Sequence, residues 1–185
     1  GDKVYRANRG KAVMLAVLGR RGLDQGVNIA AAHIDSPRLD LKQNPLYEAD
    51  ELAFLKTHYY GGLRKYQWVT IPLELHGVVA LKSGQVVRVS VGNGEGDPLF
   101  TVDDLLPHLG AEQSRKPLGE AIPAESLNIL VGSRPLADDE GSDRVKLSIL
   151  ELLNRKYGIV EEDFISAELS AVPAFRASDV GFDRS

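Results

Sequence analysis

Cysteine is absent from all 185 residues. That excludes a disulfide framework and any thiolate metal site, so a metal held here must be bound by His, Asp or Glu. It also suits a reducing compartment, and the cytoplasm is the expected location. Long apolar runs are absent too, with nothing near the ~20 residues of a membrane-spanning helix. The N-terminal residues show no signal-peptide pattern. Positive charge is nowhere concentrated: Lys and Arg number 22 against 26 Asp and Glu, and the net charge of −4 is spread along the chain. A basic nucleic-acid face and a Lys/Arg-rich membrane helix are therefore both excluded, and neither nucleic acid nor membrane is expected as a partner. Internal repeats are also missing, which removes solenoid architectures.

What is present is ordinary for a globular protein, with 43% hydrophobic and 26% charged residues. The length suits one large domain or two small ones and can bury a core without staples. Both ends are abrupt: Gly1-Asp2-Lys3 leads straight into a strand, and the chain stops at Asp183-Arg184-Ser185. A piece of a longer polypeptide is expected on that ground.

Val4–Asn8 and Lys11–Leu18, flanking Arg9-Gly10, read as paired strands. Val27–His33, rich in small apolar residues, reads as a third strand packed on both faces and ended by Pro37. Residues 50–68 show no clear period. Val69, Ile71, Leu73 and Leu75 alternate, and Val78–Leu81 and Val86–Val91 flank Lys82-Ser83-Gly84-Gln85 as a hairpin. Thr101-Val102-Asp103-Asp104 predicts a short helix start, stopped by Pro107. Residues 110–126 read as loop. Residues 132–143 are acidic and turn-rich, a mobile segment by composition. The clearest helix spans about 143–157, with Val145, Ile149, Leu152, Leu153 and Tyr157 on one face, Ser142 as cap and Gly158 at C′. Phe164–Val172 alternates as a strand. The pattern predicts an α/β fold: parts of an α/β domain at 1–61 and 161–185, and a β-rich insertion at 62–160.

Four histidines carry the candidate chemistry. His33 and Asp35 stand two apart at a predicted strand end, which places both side chains on one side. One ring nitrogen can take a metal while the carboxylate fixes the ring. The alternative is a satisfied histidine beside a turn aspartate. Arg38, Asp40 and Lys42 alternate with Leu39 and Leu41, as on a half-exposed strand edge. His58–Trp68 gathers three tyrosines, paired glycines and the only tryptophan, which suits either a substrate-lining loop or a hinge with packed aromatics. His108, in Asp104-Leu105-Leu106-Pro107-His108-Leu109, reads locally as a helix-end residue. His76 reads as structural.

Taken in order, these segments resemble a known family. Ala32-His33-Ile34-Asp35-Ser36-Pro37-Arg38-Leu39-Asp40-Leu41-Lys42 is similar to the His-x-Asp-Ser-Pro motif of the aspartyl-aminopeptidase family of dinuclear zinc peptidases. His58–Trp68 resembles the family's Tyr-Gly-Gly segment, and Asp104–Leu109 its Pro/Ile-His-Leu segment. Ala167–Ser185 resembles its Glu-Leu…Val-Pro-Ala…Asp-Val-Gly-x-Asp-Arg-Ser stretch. The tyrosine segment resembles the bacterial branch more than the best-known eukaryotic enzymes. The resemblance implies a catalytic α/β domain interrupted by a β-rich dimerisation and lid domain, in dimer-based homo-oligomers that extend to dodecamers. It implies His33 as a zinc ligand, Asp35 as the catalytic-site carboxylate that orients it, and His108 as a residue that approaches the metal site from a neighbouring subunit and is counted with the metal ligands. It further implies that the bridging aspartate, the glutamate general base and the remaining ligands follow Asp-Arg-Ser, beyond residue 185.

The expected activity of the parent is therefore zinc-dependent removal of N-terminal residues, acidic ones included, from peptides. The chain by itself is expected to be inactive. Two alternatives stand beside this: a non-catalytic oligomerisation and lid module, and an unrelated α/β binding protein that shares only short triplets.

Overall fold

A computed structural model describes residues 1–137 and 141–184. Residues 138–140, inside the acidic segment read as mobile, and Ser185 lie outside the described residues. The chain divides into two compact units, Gly1–Ser36 and Pro37–Ser185.

The first unit is a hairpin followed by extended chain. β1 (Lys3–Asn8) pairs antiparallel with β2 (Ala12–Val17), in register from Lys3↔Val17 to Asn8↔Ala12. Arg9 and Gly10 both take positive φ, 51° and 68°, and Lys11 N donates to Asn8 O at 3.0 Å. Positive φ at both central residues matches the right-handed twist of the flanking strands. Leu23–Gln25 forms one 3₁₀ turn. The third strand expected at Val27–His33 does not form, and no ladder runs through these residues. Its sequence suits burial on both faces, yet Val27 is 62% and Ile29 84% exposed. A strand exists only through its neighbours' hydrogen bonds, and no described strand pairs with this one.

The second unit is a six-stranded sheet with one long helix. β3 (Arg38–Ala49), β4 (Leu52–Tyr60), β5 (Leu73–Ala80), β6 (Val86–Val91), β7 (Ile129–Gly132) and β8 (Ala167–Pro173) pair in the order β6-β5-β8-β3-β4-β7, antiparallel throughout. With the helices this gives the α/β content expected, as a curled antiparallel sheet. The sheet takes strands from both sides of residues 61 and 161. The partition expected at those points therefore does not coincide with a break between compact units, which falls at Ser36/Pro37. β3 is also no edge strand, since it bonds β4 on one side and β8 on the other.

Register sorts the side chains into two faces. Val91, Leu75, Ala171, Leu39 and Tyr59 are paired across five strands and point into the core, where Leu39 and Ala171 are fully buried. The next row, Ser90, His76, Ser170, Asp40 and His58, points to the opposite face by simple alternation. β4 was invisible in the hydrophobic pattern because its inward residues include Ala53 and Thr57, which carry little apolar signal. Its entry turn, Asp50-Glu51, has both residues at positive φ without a glycine. At Gly77 only glycine fits: φ is 148°, and a Cβ would come 1.9 Å from the Glu168 carbonyl oxygen of β8.

Helix α1 is a single turn, Leu118–Ala121, between two 3₁₀ turns in the segment read as loop. Helix α2 (Arg144–Tyr157) lies where its periodicity placed it, with Val145 buried and Ile149, Leu150, Leu153 and Tyr157 packed on the core. Gly158 closes it at φ 72°. The expected Ser142 cap is not used. Asp143 is the cap residue, with φ 58° and no side-chain cap bond, and Glu48 of β3 instead accepts the Lys146 N–H at 2.8 Å. An anionic carboxylate at a helix N-terminus is favoured by the helix dipole as well as the bond. The strand predicted from Phe164 starts later. Glu161–Ser166 is 3₁₀, tied by buried Asp163, which accepts Val160 N at 2.9 Å and Lys82 N at 2.8 Å. Ile165 is accordingly 60% exposed. No helix among the described residues is long and apolar enough to cross a membrane.

Candidate functional site

His33 and Asp35 are brought together, but not by a strand. Residues 31–36 have no regular hydrogen-bonded structure. His33 Nδ1 lies 3.0 Å from the Asp35 carbonyl oxygen and 3.2 Å from Asp35 Oδ1. Both oxygens are acceptors, so Nδ1 carries the proton and donates, which leaves the Nε2 lone pair facing outward. That is the tautomer a metal-ligating imidazole needs, with the carboxylate in the outer position. Both side chains are open to solvent, 85% and 51% exposed.

One imidazole does not make a zinc site. Catalytic zinc takes about three protein ligands and an open position. Among the described residues no group of three or more His, Asp or Glu stands close enough to share a metal ion. The residues of this chain therefore fit one ligand and its orienting carboxylate, and not a complete centre.

His108 sits in the other compact unit and on a turn rather than the expected helix end. Leu109 N and Gly110 N both bond Leu106 O at 2.9 Å. No helix starts at Thr101, because Leu130 N donates to Thr101 O at 2.8 Å and the segment bridges to β7 instead. The His108 turn is apolar and uncovered, with Leu105, Leu106 and Leu109 56%, 59% and 63% exposed.

In the Tyr-Gly-Gly segment the two readings divide by residue. Trp68 and Val69 are buried in the core, as packed aromatics and their neighbours would be. His58 and Tyr60 stay exposed at the end of β4, His58 stacked on Tyr59 at 5.6 Å. Gly61 has φ 81°, and a Cβ there would touch Pro37. Arg38 lies over the Tyr60 ring at 3.9 Å and donates from Nε to Asp40 Oδ1 at 2.7 Å. Ser170 donates to the same oxygen at 2.6 Å. Further along β3, Lys42 Nζ bonds Glu125 at 2.6 Å and holds that carboxyl below the usual carboxylate range.

His76, read as structural, is the histidine whose surroundings the sequence reading missed. Ser90 Oγ lies 3.1 Å from His76 Nδ1, and His76 Nε2 lies 3.2 Å from Glu74 Oε1. The signal was available. Glu74-Leu75-His76 has the same two-residue spacing as His33-Ile34-Asp35, and it lies on a strand whose hairpin register delivers Ser90.

In chemical class, an outward Nε2 backed by a carboxylate is a building element of metal-dependent hydrolases. Comparison with known proteins supplies the family. The family model described as aminopeptidase I zinc metalloprotease (M18) matches residues 1–185, and the chain belongs to that family. It is 57% identical to a probable M18 family aminopeptidase 1 of Clostridium acetobutylicum, over the whole chain and 40% of that protein. It superposes on the crystal structure of an M18 aminopeptidase from Thermotoga maritima with a TM-score of 0.91 at 46% identity, covering all of this chain and 41% of that one. The crystal structure of aminopeptidase I from Clostridium acetobutylicum gives a TM-score of 0.89 at 53% identity, again over 41% of its chain. The chain thus spans about 40% of the length of the curated relatives it matches.

Proposed function

We propose that this chain is part of a zinc aminopeptidase that removes N-terminal residues, acidic ones among them, from peptides in the cytoplasm. His33 supplies one ligand through Nε2, and Asp35 holds the ring. The observation that carries this reading is the pair of contacts from His33 Nδ1 to Asp35, at 3.0 and 3.2 Å. The remaining ligands of a dinuclear centre and the general base come from the part of the family fold that this chain does not span. Zinc, when bound there, polarises the scissile carbonyl and activates water.

The organisation we infer keeps a catalytic domain with a β-rich insertion but moves the boundary to Pro37. Residues 1–36 belong to the catalytic part, and the sheet of residues 38–173 is the inserted dimerisation and lid part. His108 serves a neighbouring subunit's site in a homo-oligomer. Its uncovered turn, flanked by three exposed leucines, supports that reading.

The 185-residue chain alone should not hydrolyse aminoacyl p-nitroanilides, with or without added zinc. A single imidazole ligand does not hold a metal-bound water beside a general base at the zinc site. Robust zinc-dependent turnover by the purified chain would overturn this. The same leucines favour a second role for the chain as given, as a non-catalytic oligomerisation and lid module. A strict monomer by light scattering at high concentration would contradict that role.

A further inference from the structure

We propose that Ser90, His76 and Glu74 form a metal-independent nucleophilic site on the open face of the sheet, which accepts the acyl group of small activated carboxylic esters. The arrangement follows from register. Glu74 and His76 are two apart on β5 and share a face, and His76 is paired directly with Ser90 of β6. The hydroxyl is 3.1 Å from one imidazole nitrogen, and the other nitrogen is 3.2 Å from a carboxylate oxygen. A nucleophile within reach of a base that is itself oriented by a third group is the signature of an activated serine, whatever the fold.

The surroundings hold this order in place. Glu74 and His76 are 22% and 33% exposed, so the relay is half-buried yet reachable from solvent. Gly92, at φ 109°, lets the chain pass directly over Glu74; a Cβ there would come 2.6 Å from Glu74 Cβ. Asp97 fixes that loop by accepting Gly92 N at 3.1 Å and Gly94 N at 3.0 Å. Ser90 Oγ donates to Asn93 Oδ1 at 3.2 Å, so its one hydroxyl proton is shared between that oxygen and His76 Nδ1. A half-turn of that amide presents its nitrogen to Oγ instead, as a donor, and leaves the hydroxyl proton to His76 Nδ1. With His76 neutral and Nε2–H donated to Glu74, Nδ1 accepts the Ser90 hydroxyl proton.

The reaction closes without another reagent. Ser90 Oγ bonds to the ester carbonyl carbon as its proton passes to His76 Nδ1. The tetrahedral adduct collapses, the bond to the alkoxy oxygen breaks, and that oxygen takes the proton and leaves as the alcohol. Water then gives a proton to His76 and its oxygen bonds to the acyl carbon. The bond to Oγ breaks, Ser90 regains a proton from His76, and the carboxylic acid departs. No metal enters, so the proposal stands apart from the aminopeptidase reading.

The test uses the whole chain in excess EDTA. It is treated with an alkyl fluorophosphonate, with peptide mapping by mass spectrometry, and assayed in parallel with p-nitrophenyl acetate. A single phosphonyl adduct on the Ser90 peptide of the unsubstituted chain is expected, a result that does not depend on any variant folding. Ser90→Ala should abolish the adduct and lower chelator-resistant ester hydrolysis by about a hundredfold, and Glu74→Gln should slow labelling while leaving its position unchanged. No Ser90 adduct under conditions that label an ordinary serine esterase would overturn the proposal. So would ester hydrolysis by Ser90→Ala, shown folded by circular dichroism, at the unsubstituted rate.

Discussion

Residues 1–36 are exposed without exception, whereas residues 37–184 bury a continuous core from Leu39 to Ala171. The first unit carries the most recognisable motif of the chain and has no core of its own. The second carries nearly all the packing and, among its described residues, no cluster of metal ligands. A metal motif works through ligands that converge from distant points of a fold, so it can be legible in sequence where its scaffold is incomplete. A sheet is the reverse, since its strands become legible only when their partners are present.

The largest effect that sharpens this contrast is a cavity at the middle of the sheet. Leu39→Ala, at a fully buried position on β3, should cost about 2–5 kcal/mol in urea unfolding. Ile29→Ala, at 84% exposure in the first unit, should change stability by less than about 0.5 kcal/mol. Equal costs would mean that the first unit has a core after all. Next comes Gly77→Ala. The backbone at φ 148° and the Glu168 carbonyl oxygen leave a Cβ no room, so the loss should exceed about 1 kcal/mol. An unchanged melting temperature would show that β5 and β8 do not approach as described.

The smallest effect is electrostatic. The Gly94 and Gly92 N–H groups hold the Asp97 carboxyl below the usual carboxylate range. A carboxyl with a lowered folded-state pKa adds stability above its unfolded pKa, and that contribution disappears as pH falls through the folded value. Asp97→Asn should therefore lower the urea midpoint at neutral pH and narrow its difference from the parent chain below about pH 3. A difference that grows on acidification would contradict the assignment.

Much of the second unit was legible in the sequence. Helix α2 announced itself through Val145, Ile149, Leu153 and Tyr157, and Gly158 marked its end. The β5–β6 hairpin was equally plain, because valines alternate on both sides of Lys82–Gln85. β4 was not, since Ala53 and Thr57 face the core without hydrophobic weight. The start of β8 was misplaced because Asp163 captures two backbone N–H groups and keeps Glu161–Ser166 in 3₁₀ form. Of the candidate site, the His33–Asp35 partnership was readable from spacing, although the two meet in irregular chain and not on a strand. The Ser90–His76–Glu74 arrangement is not legible along the chain, because Ser90 meets His76 only through the β5–β6 register.

The central proposal is that His33 is a metal ligand whose ring is set by Asp35. The direct test is metal analysis of the full-length parent enzyme carrying His33→Ala, alongside its aminopeptidase activity. Loss of bound zinc together with loss of peptide hydrolysis is the predicted result. Unchanged zinc content with unchanged activity would contradict it.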